Sequence, residues 1–389
     1  MKIAILGAGV GGIAAAIALI QKGHEVSVYE RRKAPSTIGA GIVIWPNGAF
    51  VLDRLGVLEQ IRAKSGCPMK MQRFSSAGDD LGAIDIGIIN KQLGYSSYSI
   101  LRNDFQNILL AKLHSLRIRV NYDYEVTDIT ESDNKTTNVK FLNGHIITAD
   151  LVIGADGRMS SPSRLYVNGD NRPVYQGFIN WIGVFESEQE LFPQINVYDY
   201  WGIGSRFGIV PITTKKAYWA GGIAAAEIEK NSSTDFKTEL NNIFSNWPAP
   251  IAKIINDSPI DKINKIFVHD LNPIKIWHKG NLVLLGDSAH APLPTSGQGA
   301  CQALEDVWEL VCSLDKYPEN LEETLANYTN HRLEKTTDII NAARSFAMSL
   351  FCQDTKLCEL RNKNSIKSDF NQVALGIGNL WGRNINLST

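Results

Sequence analysis

The chain has 389 residues, of which 44% are hydrophobic and 20% charged, and its formal net charge is -1. This balance argues against a sequence-wide role in binding nucleic acid or an acidic membrane surface. The length suffices for two domains or one large discontinuous domain, and no apolar run outside the N-terminal unit has membrane-spanning length. The five cysteines include no CxxC pair, which favours reduced thiols in a cytoplasmic protein, and none has metal-ligand spacing with the seven histidines.

The first 31 residues carry the most informative motif of the chain. A short apolar strand ends at Gly7, glycines follow at G-x-G-x-x-G spacing, a helix runs to about residue 21, and a second strand ends at Glu30. In such a unit Gly7 permits a tight turn, Gly9 lets backbone approach a pyrophosphate, and Gly12 lets helix and strand pack closely. The helix N-terminus attracts phosphate, and Glu30 is placed to accept hydrogen bonds from ribose hydroxyls. The unit predicts a dinucleotide site, since the alternative of a secretory signal peptide leaves the glycine spacing and Glu30 unexplained.

The next hundred residues are predicted to contain two helices separated by strands. Residues 45–48 form a turn that opens an amphipathic helix, and a second helix starts near Arg102, with Asn103 or Asp104 as its cap. Residues 69–100 alternate like strands of an antiparallel layer. The positions that carry these predictions are Ala49, Leu52, Leu55 and Leu58 in the first helix and Met69, Met71, Arg73, Ser75, Ile84, Ile86 and Ile88 in the strands.

Two features of this region have competing interpretations. Gly39 and Gly41 lie in a connection that starts at residue 37, and they either let main chain pass against a flat ligand ring or belong to an ordinary loop. Arg102 either pairs with a phosphate or is a solvated arginine.

Two later strands end in turns that contain glycine and a carboxylate. Residues 149–153 lead into Gly-Ala-Asp-Gly at 154–157, and residues 281–285 lead into Gly286-Asp287. Open α/β folds bind ligands at the carboxyl ends of such strands. The turn Gly297-Gln298-Gly299 then opens a helix whose N-terminus is predicted to face the same edge.

The remaining segments are predicted to be a sheet and a helical tail. Residues 174–266 are rich in aromatic side chains and alternate, which predicts a second antiparallel sheet that forms one wall of a ligand pocket, although most of these aromatic residues must fill a core. After about Glu334 the sequence is helical, and its periodicity is lost near Asn362.

With these elements in this order, the sequence resembles the class A flavoprotein aromatic hydroxylases of the para-hydroxybenzoate hydroxylase fold. The resemblance covers roughly residues 1–335 and rests on GAGVGG with Glu30-Arg31, on LRNDFQ, on VIGADG and on LLGDSAHAPLPTSGQGACQALED. The segments WPNG, GFINW and RFGIVPI are most similar to the branch that contains urate hydroxylase, salicylate-type hydroxylases and zeaxanthin epoxidase.

The resemblance implies a set of FAD contacts in this chain. The ADP half would be held by Gly7, Gly9, Gly11, Gly12, Glu30 and Arg31, with a backbone contact from Val126 to adenine. The remaining contacts would come from Gly41, Ile42, Arg102, Asp156, Asp287, Gly297, Gln298, Gly299, Ala300 and Cys301, with Arg102 near the pyrophosphate and Asp287 at the ribityl chain. The sequence departs from the family pattern Asp-Gly-x-x-Ser-x-x-Arg at one point, because Asp156-Gly157 reaches Arg164 one residue later. This spacing indicates a one-residue insertion in a loop that the family uses to contact both FAD and NAD(P)H.

The resemblance also implies the reaction and the residues at the substrate. FAD would be reduced by transiently bound NADH or NADPH, and O2 would then form a flavin C4a-hydroperoxide that hydroxylates an electron-rich aromatic carbon. Arg206 is the best candidate to bind a substrate carboxylate or oxyanion, with a structural salt bridge as the alternative. Tyr218 is a candidate catalytic group that would hydrogen-bond the substrate, with a half-buried structural tyrosine as the alternative, and Asn180 is a candidate substrate contact. His290 is expected to bond locally, and Cys301, at a helix start, is expected to have a lowered pKa without thiol chemistry.

The sequence therefore predicts an α/β fold with a Rossmann-like FAD-binding domain, a discontinuous antiparallel substrate domain and C-terminal helices. The predicted boundaries are 1–70, 97–173 and 267–335 for the FAD-binding domain, 71–96 and 174–266 for the substrate domain, and 336–389 for the helical segment. The predicted function is a cytoplasmic FAD- and NAD(P)H-dependent monooxygenase of a small aromatic or heteroaromatic compound, as a monomer or homodimer without nucleic acid. The alternatives are a monooxygenase of a larger polyene or polyketide such as a tetracycline, and a catalytically silent flavin-binding protein.

Overall fold

The computed structural model describes residues 1–35, 39–132, 135–226 and 235–385. Within these ranges the strands are, in chain order, β1 (Lys2–Leu6), β2 (Glu25–Glu30), β3 (Gly41–Ile44), β4 (Lys70–Ser75), β5 (Asp80–Asp85), β6 (Tyr98–Leu101), β7 (Val120–Tyr122), β8 (Val126–Glu131), β9 (Thr137–Phe141), β10 (Ile146–Ala149), β11 (Leu151–Gly154), β12 (Val174–Glu186), β13 (Val197–Trp201), β14 (Ser205–Pro211), β15 (Lys216–Ala224), β16 (Asn264–Asp270), β17 (His278–Lys279) and β18 (Leu282–Leu284). The helices are α1 (Val10–Gln21), α2 (Pro46–Arg54), α3 (Leu58–Ala63), α4 (Ile86–Leu93), α5 (Arg102–Ser115), α6 (Pro162–Asn168), α7 (Phe236–Phe244), α8 (Ile251–Asp257), α9 (Gly299–Lys316), α10 (Leu321–Leu350), α11 (Thr355–Ile366) and α12 (Phe370–Gly382).

A six-stranded sheet with the order β17-β18-β11-β1-β2-β7 forms the first layer of the fold. Its strands are parallel except for the β17–β18 pair. Ile5 pairs with Val28 on one side and with Ile153 on the other, and all three side chains are fully buried. Parallel strands covered on both faces need continuous apolar runs, which is why the apolar segments read from the sequence are strands here.

The carboxyl ends of three of these strands meet at one edge. The Ala155 N–H donates to Leu6 O at 2.8 Å, and the Leu285 N–H donates to Gly154 O at 2.9 Å. These bonds join the turns that follow β1, β11 and β18. The three turns therefore lie together at the carboxyl edge of one sheet, where open α/β folds bind ligands.

A seven-stranded sheet with the order β16-β12-β15-β14-β13-β4-β5 forms the second layer. It is antiparallel except for the parallel β13–β4 pair. One face packs an aromatic core that includes Trp181, Phe207 and Trp219 against Phe244 of α7 and the isoleucines of α8. The predicted sheet is therefore present, and the prediction missed α7 and α8, whose short amphipathic patterns lie between strands of strong aromatic character. The remaining strands form a three-stranded sheet, β10-β9-β8, and a two-stranded sheet, β3-β6.

Three local predictions for residues 45–115 were wrong. The helix expected through Leu58 is broken into α2 and α3, because Gly56 adopts φ +68° and ends the first of them. Ile86 and Ile88 lie in helix α4 rather than in a strand, since the Asp85 carboxylate accepts from the Gly87 N–H at 2.7 Å and caps a new helix.

The cap of α5 also differs from the prediction. Leu101 is the N-cap and contributes no side-chain bond, so Asn103 and Asp104 lie inside the first turn. There Asp104 complements the positive end of the helix dipole instead of capping it.

The C-terminal region consists of helices α10, α11 and α12, which confirms the helical prediction and extends it past Asn362. Asn320, Asp354 and Asp369 cap their first turns with side-chain oxygens. Residues 386–389, whose order the sequence left open, lie outside the described residues. In the described part of the chain, no helix combines the length and the apolar character needed to cross a membrane.

Candidate active site

The glycine turn after β1 is shaped by close backbone contacts. Gly7 has φ +111°, and a Cβ atom there would lie 2.2 Å from Ala155 O. A Cβ atom at Gly12 would lie 2.0 Å from Gly7 O, and one at Gly11 would lie 2.7 Å from a methyl group of Leu285. Gly9 differs, because it is extended, flanks α1, and has no atom within 4 Å of a Cβ position. Space therefore remains over Gly9 beside the N–H groups at the start of α1, which have no partner within the helix.

A small cleft lies beside Glu30, at the end of β2. The Glu30 carboxylate accepts from the Ala8 N–H and from the Arg32 N–H, both at 2.9 Å. Gln106 and Tyr122 also line this cleft. The position of Glu30 predicts a contact to ribose hydroxyls at this cleft, and that contact stays a prediction.

The predicted adenosine contacts lie around the same strand end. The Tyr124 N–H donates to Glu30 O at 3.0 Å. This bond holds the start of β8, where Val126 lies, near the end of β2. Arg31 donates from Nη1 to Ser160 O at 3.2 Å, so it ties this edge to the turn after β11.

The turn after β18 brings a carboxylate and two arginines together. Asp287 accepts from Nη1 of Arg158 at 3.0 Å, in a pair that is half-buried. Arg102, at the start of α5, lies against Gly39, where a Cβ atom would be 2.5 Å from Arg102 Cδ. Burial lowers the pKa of Arg102, and the nearby Asp287 opposes this shift. Sequence reasoning missed Arg158, and its place two residues after Asp156 was the signal available.

Asp156 is engaged by its own loop. Its carboxylate accepts from the Ser161 hydroxyl and from the Ser163 N–H. Burial raises the pKa of the Asp156 carboxyl, and these hydrogen bonds oppose the rise. Both oxygens of Asp156 therefore have protein partners at the start of α6, and a contact from Asp156 to FAD stays a prediction.

The extra residue of this loop precedes α6. Ser161 caps the helix by accepting from the Arg164 N–H, and Pro162 occupies its first position. The buried Arg164 guanidinium donates to Ser288 O and Ala289 O, both at 3.0 Å. Arg164 thus fastens the loop to the turn after β18 in spite of its shifted spacing.

The N-terminus of α9 presents unpaired donors. Gly297 has φ +63° and ends the preceding turn, while its carbonyl accepts from Nε1 of Trp45 at 2.9 Å. Gln298 is buried, and within the described residues its Nε2 has no hydrogen-bond partner. That amide and the first N–H groups of α9, at Gly299 and Ala300, fit a ligand with an electron-rich polar edge.

A buried ionic network lies directly behind this helix start, and sequence reasoning missed it. Arg332 donates to Glu305 at 2.6 Å and to Asp306 at 2.7 Å, and Lys335 donates to Glu305 at 2.7 Å. The network also includes Asn47, Gln298, Gln302 and His290. Its acidic members are the seventh and eighth residues of α9, and its basic members lie about one turn apart on α10. Recognising this signal requires knowledge of how α9 and α10 pack.

Burial and charge act in opposite directions inside the network. Burial lowers the pKa of Lys335 to about 8, although Glu305 opposes the shift. Burial alone would raise the pKa of Asp306, but His290 and Arg332 bring it below its ordinary value. His290 bonds to Asp306 through Nε2, which confirms a local role for this histidine.

Cys301 is buried in the first turn of α9. Burial raises the pKa of the Cys301 thiol to about 12, so the expected lowering was wrong. Desolvation of the thiolate outweighs the helix dipole at this position. The thiol packs against Gly48, where a Cβ atom would be 2.8 Å from Sγ, and a contact from Cys301 to FAD stays a prediction.

The three candidate substrate residues share one face of the seven-stranded sheet. Asn180 and Arg206 both pair with Gly222 in the register, and Tyr218 lies four residues before Gly222 on β15. Residues opposite each other, and residues an even number apart on one strand, point to the same face. The Tyr218 ring packs on Gly41, where a Cβ atom would be 2.0 Å from Cδ1, so this face adjoins β3 and Ile42.

Arg206 takes part in a salt bridge that was one of its two predicted roles. Its Nε and Nη2 donate to the two carboxylate oxygens of Asp199 at 2.6 and 3.2 Å, and the Asp199 side chain is 3% exposed. Burial also raises the pKa of Tyr218 well above its ordinary value, so its hydroxyl is a hydrogen-bond donor at neutral pH. The face thus offers a fixed cation and a phenolic donor.

In the described residues, no group of His, Cys, Asp and Glu is arranged to hold a metal ion.

Comparison with known proteins agrees with this geometry. A family described as FAD binding domain matches residues 1–343. The chain is 29% identical over 391 residues to an FAD-dependent urate hydroxylase of Mycolicibacterium vanbaalenii, covering 98% of this chain and 97% of the relative. It is 30% identical over 349 residues to a 6-hydroxynicotinate 3-monooxygenase of Pseudomonas fluorescens, covering 87% and 89%. The crystal structure of Klebsiella pneumoniae HpxO with FAD and uric acid superposes with a TM-score of 0.89 at 26% identity, covering 98% and 96%.

The fold and site define a flavoprotein of the aromatic hydroxylase class. The chain belongs to the FAD-binding family that its first 343 residues match. It is an FAD-dependent monooxygenase that uses NAD(P)H and O2.

Proposed function

We propose that this monooxygenase hydroxylates a small aromatic or heteroaromatic compound of the size of urate or 6-hydroxynicotinate. The observation that carries the proposal is the placement of Asn180, Arg206 and Tyr218 on one sheet face, next to Gly41. Relatives of similar length that act on urate and 6-hydroxynicotinate support it.

The proposal assigns cofactor and substrate to different parts of the chain. Residues 1–70, 97–173 and 267–335 would hold FAD, residues 71–96 and 174–266 would hold the substrate, and residues 336–389 would form a C-terminal segment. The glycine turn, Glu30, Arg102, Asp287 and the start of α9 would bind the cofactor. Support comes from the space over Gly9 and from the donors at Gln298 and at α9, which fit an extended dinucleotide.

Bound FAD supplies the redox chemistry by which NAD(P)H and O2 convert a substrate C–H group into C–OH. The residues of the chain position the reactants and control their charge. The partial positive charge at the start of α9, worth about 0.3–2 kcal/mol, would stabilise negative charge at the polar edge of the cofactor. Arg206, held by Asp199, would orient an acidic substrate, and Tyr218 would donate to a substrate oxygen or nitrogen.

We further propose a cytoplasmic location and a monomer or homodimer. All five cysteines are free thiols, which fits a reducing compartment.

A substrate panel tests the proposed function. The FAD-loaded enzyme is assayed with urate, salicylate, 6-hydroxynicotinate, hydroxybenzoates and a tetracycline for ligand-stimulated NADH or NADPH oxidation and for a product heavier by one oxygen atom. Stimulation by a small heteroaromatic is expected. Stimulation by the tetracycline alone would favour the larger-substrate alternative, and bound FAD that neither nucleotide reduces would favour the silent flavoprotein.

Replacing Arg206 with glutamine should raise KM for the stimulating ligand by about 10- to 100-fold, since loss of a charge-assisted hydrogen bond costs about 1.5–3 kcal/mol. The matched control is Arg344→Gln. Arg344 donates to the buried Asp270 at 2.6 and 2.9 Å with the same 26% side-chain exposure, but its partner lies on the edge strand β16. An equal KM change in both variants, or none in Arg206→Gln, would contradict the substrate role.

A further inference from the structure

Arg73 of β4 lies on the same sheet face as the candidate substrate residues. It is directly opposite Asp199 in the β13–β4 register, and Asp199 is in turn opposite Gly208 of β14. Residues that lie opposite each other on neighbouring strands point to the same face of a sheet. The Arg73 side chain therefore lies on the face that also carries Arg206, Asn180 and Gly208.

Arg73 has no charge partner of its own. Its Nε atom is buried without a hydrogen-bond partner, and among the described residues no carboxylate lies within 4 Å of its guanidinium. Both oxygens of the neighbouring Asp199 accept from Arg206. Burial lowers the pKa of Arg73, and the charge of Asp199 opposes this shift. The guanidinium nevertheless stays charged, as arginine does in proteins.

The surroundings of Arg73 contain more positive than negative charge. Its guanidinium lies 5.0 Å from the Trp201 ring and 5.4 Å from the Phe370 ring. A third guanidinium, that of Arg361, lies 5.4 Å from the same Trp201 ring and is bonded to carbonyl oxygens of Ser349 and Gly202. Asp199 is bridged to Arg206 and interacts electrostatically with Arg73 and with Arg361. A buried cation is unfavourable unless an anion accompanies it.

The same face is uncrowded at Gly208. A Cβ atom at Gly208 would meet nothing closer than 3.9 Å, and the nearest atoms are backbone oxygens. Gly208 pairs with Ala220, so two small residues form the floor between Tyr218 and Arg206. A planar ring over this floor would lie beside the row that contains Asp199 and Arg73.

We propose that Arg73 is a second cationic contact to the substrate, and that the substrate carries a carboxylate or a ring oxyanion which Arg73 and Arg206 bind together. The inference rests on the proposed function and adds the charge of the substrate and a specificity-determining residue. A purely structural Arg73, held between Trp201 and Phe370 by cation–π contacts, would affect all ligands equally. A substrate contact would distinguish anionic from neutral ligands.

The test compares ligands that differ by one charge. The FAD-loaded enzyme and its Arg73→Met and Arg73→Lys variants are titrated with 6-hydroxynicotinate and 6-hydroxynicotinamide, and with salicylate and salicylamide, while the flavin absorbance is followed. The control is Arg172→Met, which removes an arginine that is 86% exposed. Dissociation constants in this assay report binding without turnover.

We expect the wild type to bind at least one acid 10-fold or more tightly than its amide. Arg73→Met should weaken that acid at least 10-fold and the amide less than 3-fold, Arg73→Lys should retain part of the preference, and Arg172→Met should change neither. Equal effects of Arg73→Met on acid and amide, or no effect on the acid, would overturn the inference while the proposed function stands. If neither Arg73 variant folds, the preference of the wild type decides. Equal binding of acid and amide by the wild type then overturns the inference. A wild type that binds no aromatic ligand would overturn the proposed function and this inference with it.

Discussion

Replacing Arg332 with methionine should lower the free energy of unfolding by about 3–5 kcal/mol, because the change leaves the carboxylates of Glu305 and Asp306 buried without their shared cation. Arg332 is 3% exposed and donates to both carboxylates and to Oε1 of Gln302. Gln302 bonds to Gln298 at the start of α9, so the flavin affinity should fall with the stability. Urea denaturation, followed by tryptophan fluorescence, and an FAD titration measure the two effects.

The control for this change is Lys22→Met. Lys22 and Asp315 form an ion pair at 2.6 Å whose side chains are 44% and 55% exposed. Exposed pairs of this kind contribute about 0–1 kcal/mol. If Arg332→Met and Lys22→Met shift the urea midpoint equally, the network does not have the stabilising role assigned to it.

Replacing Gly9 with leucine should abolish or strongly weaken FAD binding and leave the apoprotein folded. The expected loss is at least 100-fold in affinity, because the side chain would occupy the space through which backbone approaches the pyrophosphate. The backbone at Gly9 is extended and no atom lies within 4 Å of the Cβ position, so the fold accepts a side chain there. Flavin fluorescence during titration of the apoprotein gives the affinity, and circular dichroism confirms the fold.

Two further glycine variants separate the cofactor effect from the fold. Gly376→Leu lies on an exposed position of α12 that also has nothing within 4 Å of its Cβ, and it should bind FAD as the wild type does. Gly12→Leu should instead prevent folding, since its Cβ would lie 2.0 Å from Gly7 O. Unchanged FAD affinity in Gly9→Leu would show that the pyrophosphate does not pass over this glycine.

The carboxyl edge of the six-stranded sheet was predictable from the sequence because its signals are local. The turns after β1, β11 and β18 each follow a continuous apolar strand, and parallel strands align their carboxyl ends. The tight contacts of Gly7 and Gly12 follow from the glycine spacing alone. The helix at Gly299 was likewise marked by its preceding glycine turn.

The missed features depend on contacts between segments far apart in the chain. Asp199 pairs with Arg206 across a hairpin, but its neighbour Arg73 lies 126 residues earlier in the chain and meets it only through the parallel β13–β4 register. The ionic network joins α9 to α10 through helix packing, which amphipathic periodicity does not specify. The start of α4 was missed because one capping carboxylate, Asp85, overrides an alternating pattern of isoleucines.

The roles of Arg206 and Cys301 show how burial decides between local signals. An arginine on a strand can bind a substrate anion or form a salt bridge. Arg206 forms a salt bridge with the buried Asp199, and we propose that this bridge positions Arg206 for the substrate. A thiol at a helix start gains from the dipole, but full burial of Cys301 raises its pKa instead. The sequence shows that Cys301 stands at the start of a helix. Its burial depends on packing against other segments, which the sequence alone does not show.

The central claim is that this chain holds FAD extended along the carboxyl edge of its six-stranded sheet. Titration of the folded apoprotein with FAD, followed by quenching of flavin fluorescence and by the visible spectrum, tests it most directly. The account predicts saturation at one FAD per chain, with affinity lost in Gly9→Leu and kept in Gly376→Leu. A folded apoprotein that leaves flavin fluorescence and absorbance unchanged at excess FAD would contradict it.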